Sequence, residues 1–149
     1  AKGAGQYLNS MLAKQEAIAT GCDEAVMLND AGYVAEGTGE NLFLVRDGVV
    51  RTPSTSSGIL DGLTRGSVMQ LLADDGMPVI EDQVTRSDLY YADEAFFTGT
   101  AAEVTPICEI DDRVVGSGVP GPVTRRAQSL YMAAVVGSNP AYRHWLEFI

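Results

Sequence analysis

Apolar positions along the chain recur with a helical period in some stretches and in short runs elsewhere, and the switches between the two mark out the elements. From Tyr7 to Ala19, Leu8, Met11, Leu12 and Ile18 fall at helical spacing, interrupted by Gln15, and the pattern stops at Gly21. That predicts a helix with one apolar stripe. Short apolar runs follow. Residues 24–28 and 33–36 flank the turn-rich Asn29-Asp30-Ala31-Gly32 and predict a hairpin whose second strand carries Glu36. Residues 41–45 predict a strand that Arg46-Asp47-Gly48 turns into residues 49–52, ended by Pro53.

A serine, threonine and glycine loop, 54–58, leads into Ile59-Leu60-Asp61-Gly62-Leu63-Thr64-Arg65. Val68, Met69, Leu71 and Leu72 then suit a helix over 64–75, stopped at Gly76 with Pro78 beyond, and Val79 and Ile80 start a strand. Residues 87–92 read as a short capped helix, 94–98 as a buried strand ending at Gly99-Thr100, 109–115 as a hairpin through Asp111-Asp112, and 123–136 as a final helix. Hairpins outnumber crossover helices, so the predicted class is α+β, with mixed, largely antiparallel strands and flanking helices. No repeat, low-complexity tract or linker divides residues 1–149, which predicts one domain.

Composition narrows the function. With 46% hydrophobic residues, a chain of 149 can bury a sizeable core. Twenty acidic against ten basic residues, a formal net charge of -10, repel a phosphate backbone, and the basic residues form no stripe, which argues against nucleic acid as a partner. Cys22 and Cys108 are isolated, pointing to neither a disulfide framework nor a zinc site, so no metal and a reducing, cytoplasmic setting are expected. No apolar run is long enough to cross a bilayer, and residues 1–5 do not begin a signal peptide, so a soluble protein without a membrane partner is expected. The opening Ala1-Lys2-Gly3 reads as a cut inside a longer sequence.

Candidate chemistry begins with the lysines, of which there are two. Lys14 lies among helix positions beside Gln15 and Glu16 and reads as part of a solvated face. Lys2 lies among Gly3, Ala4 and Gly5, where a bulky planar group can approach the backbone; its plain alternative is a solubilising charge. In Glu36-Gly37-Thr38-Gly39-Glu40-Asn41, two carboxylates and an amide flank glycines at a strand edge, as they would also in an ordinary turn. Gly62-Leu63-Thr64-Arg65 opens a helix after a loop, offering free amides to a phosphate, and Gly99-Thr100-Ala101-Ala102 offers a second set after a buried strand. Capping and turn chemistry explain either one alone. Together, a lysine in small surroundings, a carboxylate and two phosphate-ready turns are the parts that pyridoxal chemistry requires. His144, beside Trp145, reads as a surface or packing residue, and the aromatic stretch 90–97 as core.

At these residues the chain resembles the fold-type IV aminotransferases, specifically the bacterial branched-chain amino-acid aminotransferases. The matching stretches are AKGAGQYLNS at 1–10, EGTGENLF at 36–43, GILDGLTR at 58–65, TGTAAEVTP at 98–106 and GPVTRR at 121–126. They span nearly the whole chain in the family's order.

The resemblance implies pyridoxal 5'-phosphate as cofactor. Lys2 would be the imine-forming base that carries the 1,3-proton transfer, Tyr7 a partner of the cofactor's phenolic oxygen, and Glu36 would face the pyridine nitrogen. Leu63 and Thr64 amides, the Thr64 hydroxyl and Thr100 would bind the phosphate, Leu60 would pack on the ring, and Thr100 and Ala101 amides would meet the substrate α-carboxylate. It further implies transamination of branched-chain L-amino acids with 2-oxoglutarate, by a homodimeric parent in which a smaller N-terminal domain, absent from 1–149, completes the pocket of this larger cofactor-binding domain. D-amino-acid aminotransferases, R-selective amine transaminases and aminodeoxychorismate lyases share the fold and stand as alternatives, as does a non-catalytic binding module that has lost the chemistry.

Overall fold

Residues 7–147 are described by the computed structural model of the chain. Their elements are α1 (Tyr7–Ala19), β1 (Val26–Leu28), β2 (Val34–Gly37), β3 (Asn41–Arg46), β4 (Val49–Pro53), α2 (Leu63–Asp74), β5 (Val79–Asp82) and α3 (Arg86–Tyr90). After these come β6 (Glu94–Gly99), β7 (Glu103–Ile107), β8 (Glu109–Ile110), β9 (Arg113–Val114) and α4 (Pro122–Val135), with short 3-10 turns at Thr55–Ser57 and Pro140–Trp145. Five strands form the central sheet in the order β5-β4-β3-β6-β7. Every pairing in it is antiparallel except β4 with β5, which are joined by the α2 crossover. The expected α+β class is what is found.

The sheet is covered on both faces, which is why its inner strands are apolar runs and not alternating patterns. Phe43, Val45, Val50, Phe96 and Val104 point to one face, where they meet Val68 and Leu72 of α2 and Ala127 of α4. The rings of Phe43 and Phe96, cross-strand partners, stack at 5.0 Å. The intervening Leu42, Leu44, Ala95 and Phe97 point to the other face, against Val34 of β2, Val84, Leu89 of α3 and Val115. Each such side chain contributes about 1.5–3 kcal/mol through burial, so these two layers hold the strand ends that carry the polar residues.

Four details differ from the sequence expectations. β7 was not anticipated, because Pro106 interrupts its run; it lies at the sheet edge, where a missing N–H is tolerated. The short helix α3 starts earlier, its cap being Thr85 in a reciprocal capping box with Asp88. The core reading of 90–97 holds for 94–97, whereas Tyr91 is exposed and Tyr90 hydrogen-bonds Asp111. Lys14 is not simply solvated: its Nζ makes a 2.7 Å ion pair with Glu24 and donates to the Asp23 carbonyl at 2.6 Å.

The predicted stripe of α1 exists, yet Leu8, Met11, Leu12 and Ile18 are each more than half exposed and only Ala17 of this helix is buried. Both cysteines are free, and His144 is exposed, edge-on to Trp145. Among the described residues no cluster of His, Cys, Asp or Glu could hold a metal, and no helix is long and apolar enough to cross a membrane.

Candidate functional site

Three loops gather at one end of the sheet because of strand direction. Asn41, the first residue of β3, faces Thr98 near the end of β6, and β4 runs back antiparallel to β3, leaving through Pro53 at that same end. The β2–β3 turn, the loop 54–62 that enters α2, and the β6–β7 turn are therefore neighbours. In these loops or in the elements next to them lie Glu36 of β2, Leu60, Leu63 and Thr64 of α2, and Thr100 and Ala101.

Glu36, half-buried in β2, is held from two sides. The Leu60 N–H donates to its Oε2 at 3.0 Å, and Asn41 Nδ2 donates to the same oxygen at 2.9 Å. Asn41 Nδ2 also donates to the Leu60 carbonyl at 2.8 Å, so carboxylate, amide and loop backbone close a ring. Asn41 is 5% exposed, and its Oδ1 lies against Gly62, where an added Cβ would come within 2.2 Å of it. At Gly37 a Cβ would meet the Phe97 ring at 2.9 Å, whereas Gly39 has open space, so Gly37 lets the strand lie close on the core instead of clearing room for a ligand.

The first turn of α2 carries no anion of its own. Its cap, Gly62, has extended backbone and no side chain, and no acidic residue lies in that turn. Leu63 is 91% exposed, while Thr64 is buried. Arg65, 3% exposed, pins the turn in place: its Nη2 bonds Glu81 at 2.6 Å and the Pro53 carbonyl at 3.1 Å, and Nη1 reaches Asp61 at 3.5 Å. Neither Arg65 nor Asn41 had a role assigned from sequence, although both lie inside motifs singled out there.

The β6–β7 turn is tight, with Gly99 opposite Glu103, which sits in the left-handed region at φ 53°. Thr105 Oγ1 donates to the Ala102 carbonyl at 2.7 Å and braces the turn, leaving Thr100 and Ala101 exposed at its tip. Glu40 ties this turn to the β2–β3 turn, since a Cβ at Gly99 would lie 3.2 Å from Glu40 Cγ and one at Gly37 would lie 3.0 Å from Glu40 Oε2.

Around Glu40 lies a charged clasp to α1. Burial tends to push the Glu24 carboxyl up, but the Lys14 ammonium, the Thr38 hydroxyl at 2.6 Å and the Ala25 N–H at 2.8 Å outweigh it and hold the group down at about 2. Burial first, then the adjacent Glu24 carboxylate, push Glu40 up to about 7. Its Oε2 is buried with no acceptor or donor among the described residues, a state that a carboxylic acid tolerates better than a carboxylate.

Lys2 lies outside the described residues. Tyr7 opens α1, half-buried, with no side-chain hydrogen bond to another described residue. The GPVTRR stretch has a structural role: buried Glu94 accepts from the Val123 N–H at 3.1 Å, the Thr124 N–H at 2.7 Å and the Thr124 hydroxyl at 2.7 Å, capping α4.

A sequence model of the class IV amino-transferases matches residues 1–110, and the chain belongs to that family. Over 149 residues, 100% of this chain and 48% of the relative, it is 52% identical to the branched-chain-amino-acid aminotransferase of Pseudomonas aeruginosa. It is 51% identical over 146 residues, 97% of this chain and 47% of the relative, to a probable branched-chain-amino-acid aminotransferase of Aquifex aeolicus. Among solved structures it matches the T.th. branched-chain amino acid aminotransferase complexed with N-(5'-phosphopyridoxyl)-L-glutamate, with TM-score 0.96 and 52% identity, covering 99% of this chain and 50% of that one. The same T.th. protein has been solved with pyridoxamine 5'-phosphate and with 4-methylvaleric acid. The chain thus spans about half the length of the curated relatives it matches.

Proposed function

We propose that residues 1–149 are the cofactor-binding large domain of a pyridoxal-phosphate-dependent aminotransferase that acts on branched-chain L-amino acids with 2-oxoglutarate as acceptor. The observation that carries this reading is the closed ring of Glu36, Asn41 and Leu60, which ties a held carboxylate directly to the loop entering an anion-free helix start. Support also comes from the ligands of the T.th. relative: a pyridoxyl phosphate joined to glutamate, and a branched aliphatic acid. The described residues fit the cofactor, because α2 leaves its first amides to an external anion and Glu36 offers a carboxylate that two donors orient.

Bound pyridoxal phosphate supplies an electron-accepting ring and an aldehyde that carries an amino group from one substrate to the other. In this proposal the Lys2 amine moves the proton at the substrate α-carbon. Glu36 keeps the pyridine nitrogen protonated, and the Leu60 and Asn41 donors hold its carboxylate in place for this task. Tyr7 donates to the phenolic oxygen. The Leu63 and Thr64 amides with the Thr64 and Thr100 hydroxyls hold the phosphate, Leu60 packs on the ring, and the Thr100 and Ala101 amides orient the substrate α-carboxylate. The donor leaves as a 2-oxo acid and 2-oxoglutarate leaves as glutamate. A smaller N-terminal domain of the same chain completes the pocket, the parent is a homodimer, and its setting is the cytoplasm, in keeping with two free cysteines.

The test is a transamination assay of the full-length parent across L-leucine, L-valine, a D-amino acid and an aryl amine, with 2-oxoglutarate and pyruvate as acceptors. Turnover of L-leucine and L-valine with 2-oxoglutarate is expected. No turnover of either refutes the branched-chain reading, and an absorbance band at the edge of the visible that survives dialysis in Lys2→Ala removes Lys2 from its role.

A further inference from the structure

Asn41 uses both of its amide hydrogens on functional partners, one on Glu36 Oε2 at 2.9 Å and one on the Leu60 carbonyl at 2.8 Å, while the Leu60 N–H returns to the same Glu36 oxygen at 3.0 Å. Asn41 is 5% exposed, so its amide is largely shielded from water although both bonds are only partly buried. Its orientation is set by the network, because the flipped amide would aim Oδ1 at two acceptors. On the far side Oδ1 fills the space a Cβ would need at Gly62, so the group is wedged as well as bonded. Asn41 also begins β3, in register with Thr98 of β6, which fixes its backbone to the rigid centre of the sheet.

Few side chains could do this. Two N–H donors on one nitrogen, uncharged, at the reach of a single Cβ are available from asparagine alone; aspartate would repel Glu36, and serine has one hydrogen to give. We infer that Asn41 is a positioning residue that locks the Glu36 carboxylate to the loop entering α2, so that the acid at one end of the cofactor and the phosphate-facing helix start at the other are carried as one rigid piece. This rests on the proposed cofactor reading above. It also accounts for the small turn between the two residues: residues 37–40 let a carboxylate on β2 and an amide on β3 meet across five positions of sequence.

The test uses the full-length parent with pyridoxal 5'-phosphate as ligand and compares wild type, Asn41→Leu, which keeps the branched shape without the donors, and Asn41→Asp. Three quantities are measured: cofactor Kd, the pH titration of the bound cofactor's absorbance band, and the melting temperature of the cofactor-free protein. Both variants are expected to bind about tenfold to hundredfold more weakly, the factor for losing a hydrogen bond to a charged acceptor, and to shift the midpoint of the band's titration. Gly62→Ala, which pushes on Oδ1 from the other side, should move the same two readouts in the same direction and serves should Asn41→Leu not fold. A lowered melting temperature with Kd and titration within about twofold of wild type would reduce Asn41 to a structural residue and overturn the inference. Failure of the wild-type parent to take up pyridoxal 5'-phosphate at all would instead overturn the cofactor reading, and this inference with it.

Discussion

Two helices in this domain begin with nearly the same residues and end up in opposite states. Gly62-Leu63-Thr64-Arg65 opens α2 and Gly121-Pro122-Val123-Thr124-Arg125 opens α4; each has a glycine cap in extended conformation, and neither has an acidic residue in its first turn. At α4 the anion comes from within the fold, where Glu94 of β6 accepts two amides and the Thr124 hydroxyl, with Gly121 bare because a Cβ would lie 2.2 Å from Glu94 Cδ. At α2 the glycine is bare for a different neighbour, the Oδ1 of Asn41, whose two amide hydrogens go to Glu36 and the Leu60 carbonyl and not to the helix. A helix start is anion-seeking in both cases. One is satisfied by the fold, the other receives no anion from it among the described residues, and the difference lies in what the adjacent strand brings to it.

The largest effect should come from emptying the filled end. Glu94→Ala strands the buried Thr124 amide and hydroxyl and the half-buried Val123 amide, and denaturant unfolding of the parent should show a loss of about 3 kcal/mol, with cofactor Kd unchanged under conditions where the variant is folded. A loss well under about 1 kcal/mol would show that water replaces the carboxylate, and the contrast between the two helices would lapse.

Filling the empty end is the complementary experiment. Leu63 is 91% exposed at the first position of α2, so Leu63→Glu adds an anion without disturbing the core. It should stabilise the cofactor-free protein by about 0.5 kcal/mol through the helix dipole and weaken pyridoxal 5'-phosphate binding by about tenfold, roughly 1.4 kcal/mol, through repulsion of the phosphate. Unchanged affinity in Leu63→Glu would move the phosphate away from α2.

The smallest effect separates the two ends by pH. Glu40, raised from 4.5 to about 7, contributes stability that is full below 4.5 and lost as pH rises through about 7; Glu24, lowered from 4.5 to about 2, contributes stability present above 4.5 and lost as pH falls towards 2. The Lys14–Glu24–Glu40 clasp is therefore tightest near pH 4.5 and loosens on either side. Amide exchange in α1, corrected for its intrinsic pH dependence, should speed up several-fold above neutrality, with α4 as the reference that does not follow. Glu40→Gln should flatten the alkaline limb; a limb that persists in this variant assigns the titration to another group.

Much of this was legible along the chain. Runs at 41–45 and 94–98 became the buried strands β3 and β6, and turn residues at 29–32, 46–48 and 111–112 became hairpin turns, because strand and turn preferences act over a few neighbours. Glu36 and the α2 start were also visible, as a carboxylate among glycines and a helix opening after a loop. The apolar spacing on α1 gave its helix but not the exposure of Leu8, Met11, Leu12 and Ile18, since periodicity reports which positions are apolar and not what lies opposite them. Lys14 was missed as a clasp for the same reason: Glu24 is ten positions away.

The residue order set the element types, the paired turns and the kinds of group available, all of which follow from local sterics and from the periods of strand and helix. It could not say that GLTR and GPVTRR would part ways. That depended on contacts spanning 30 positions between Glu94 and Thr124 and 24 between Glu36 and Leu60, made only once β3 and β6 had paired. Hydrogen bonds act over about 3 Å, so the partner of a helix start is chosen by whichever strand the packed sheet sets beside it.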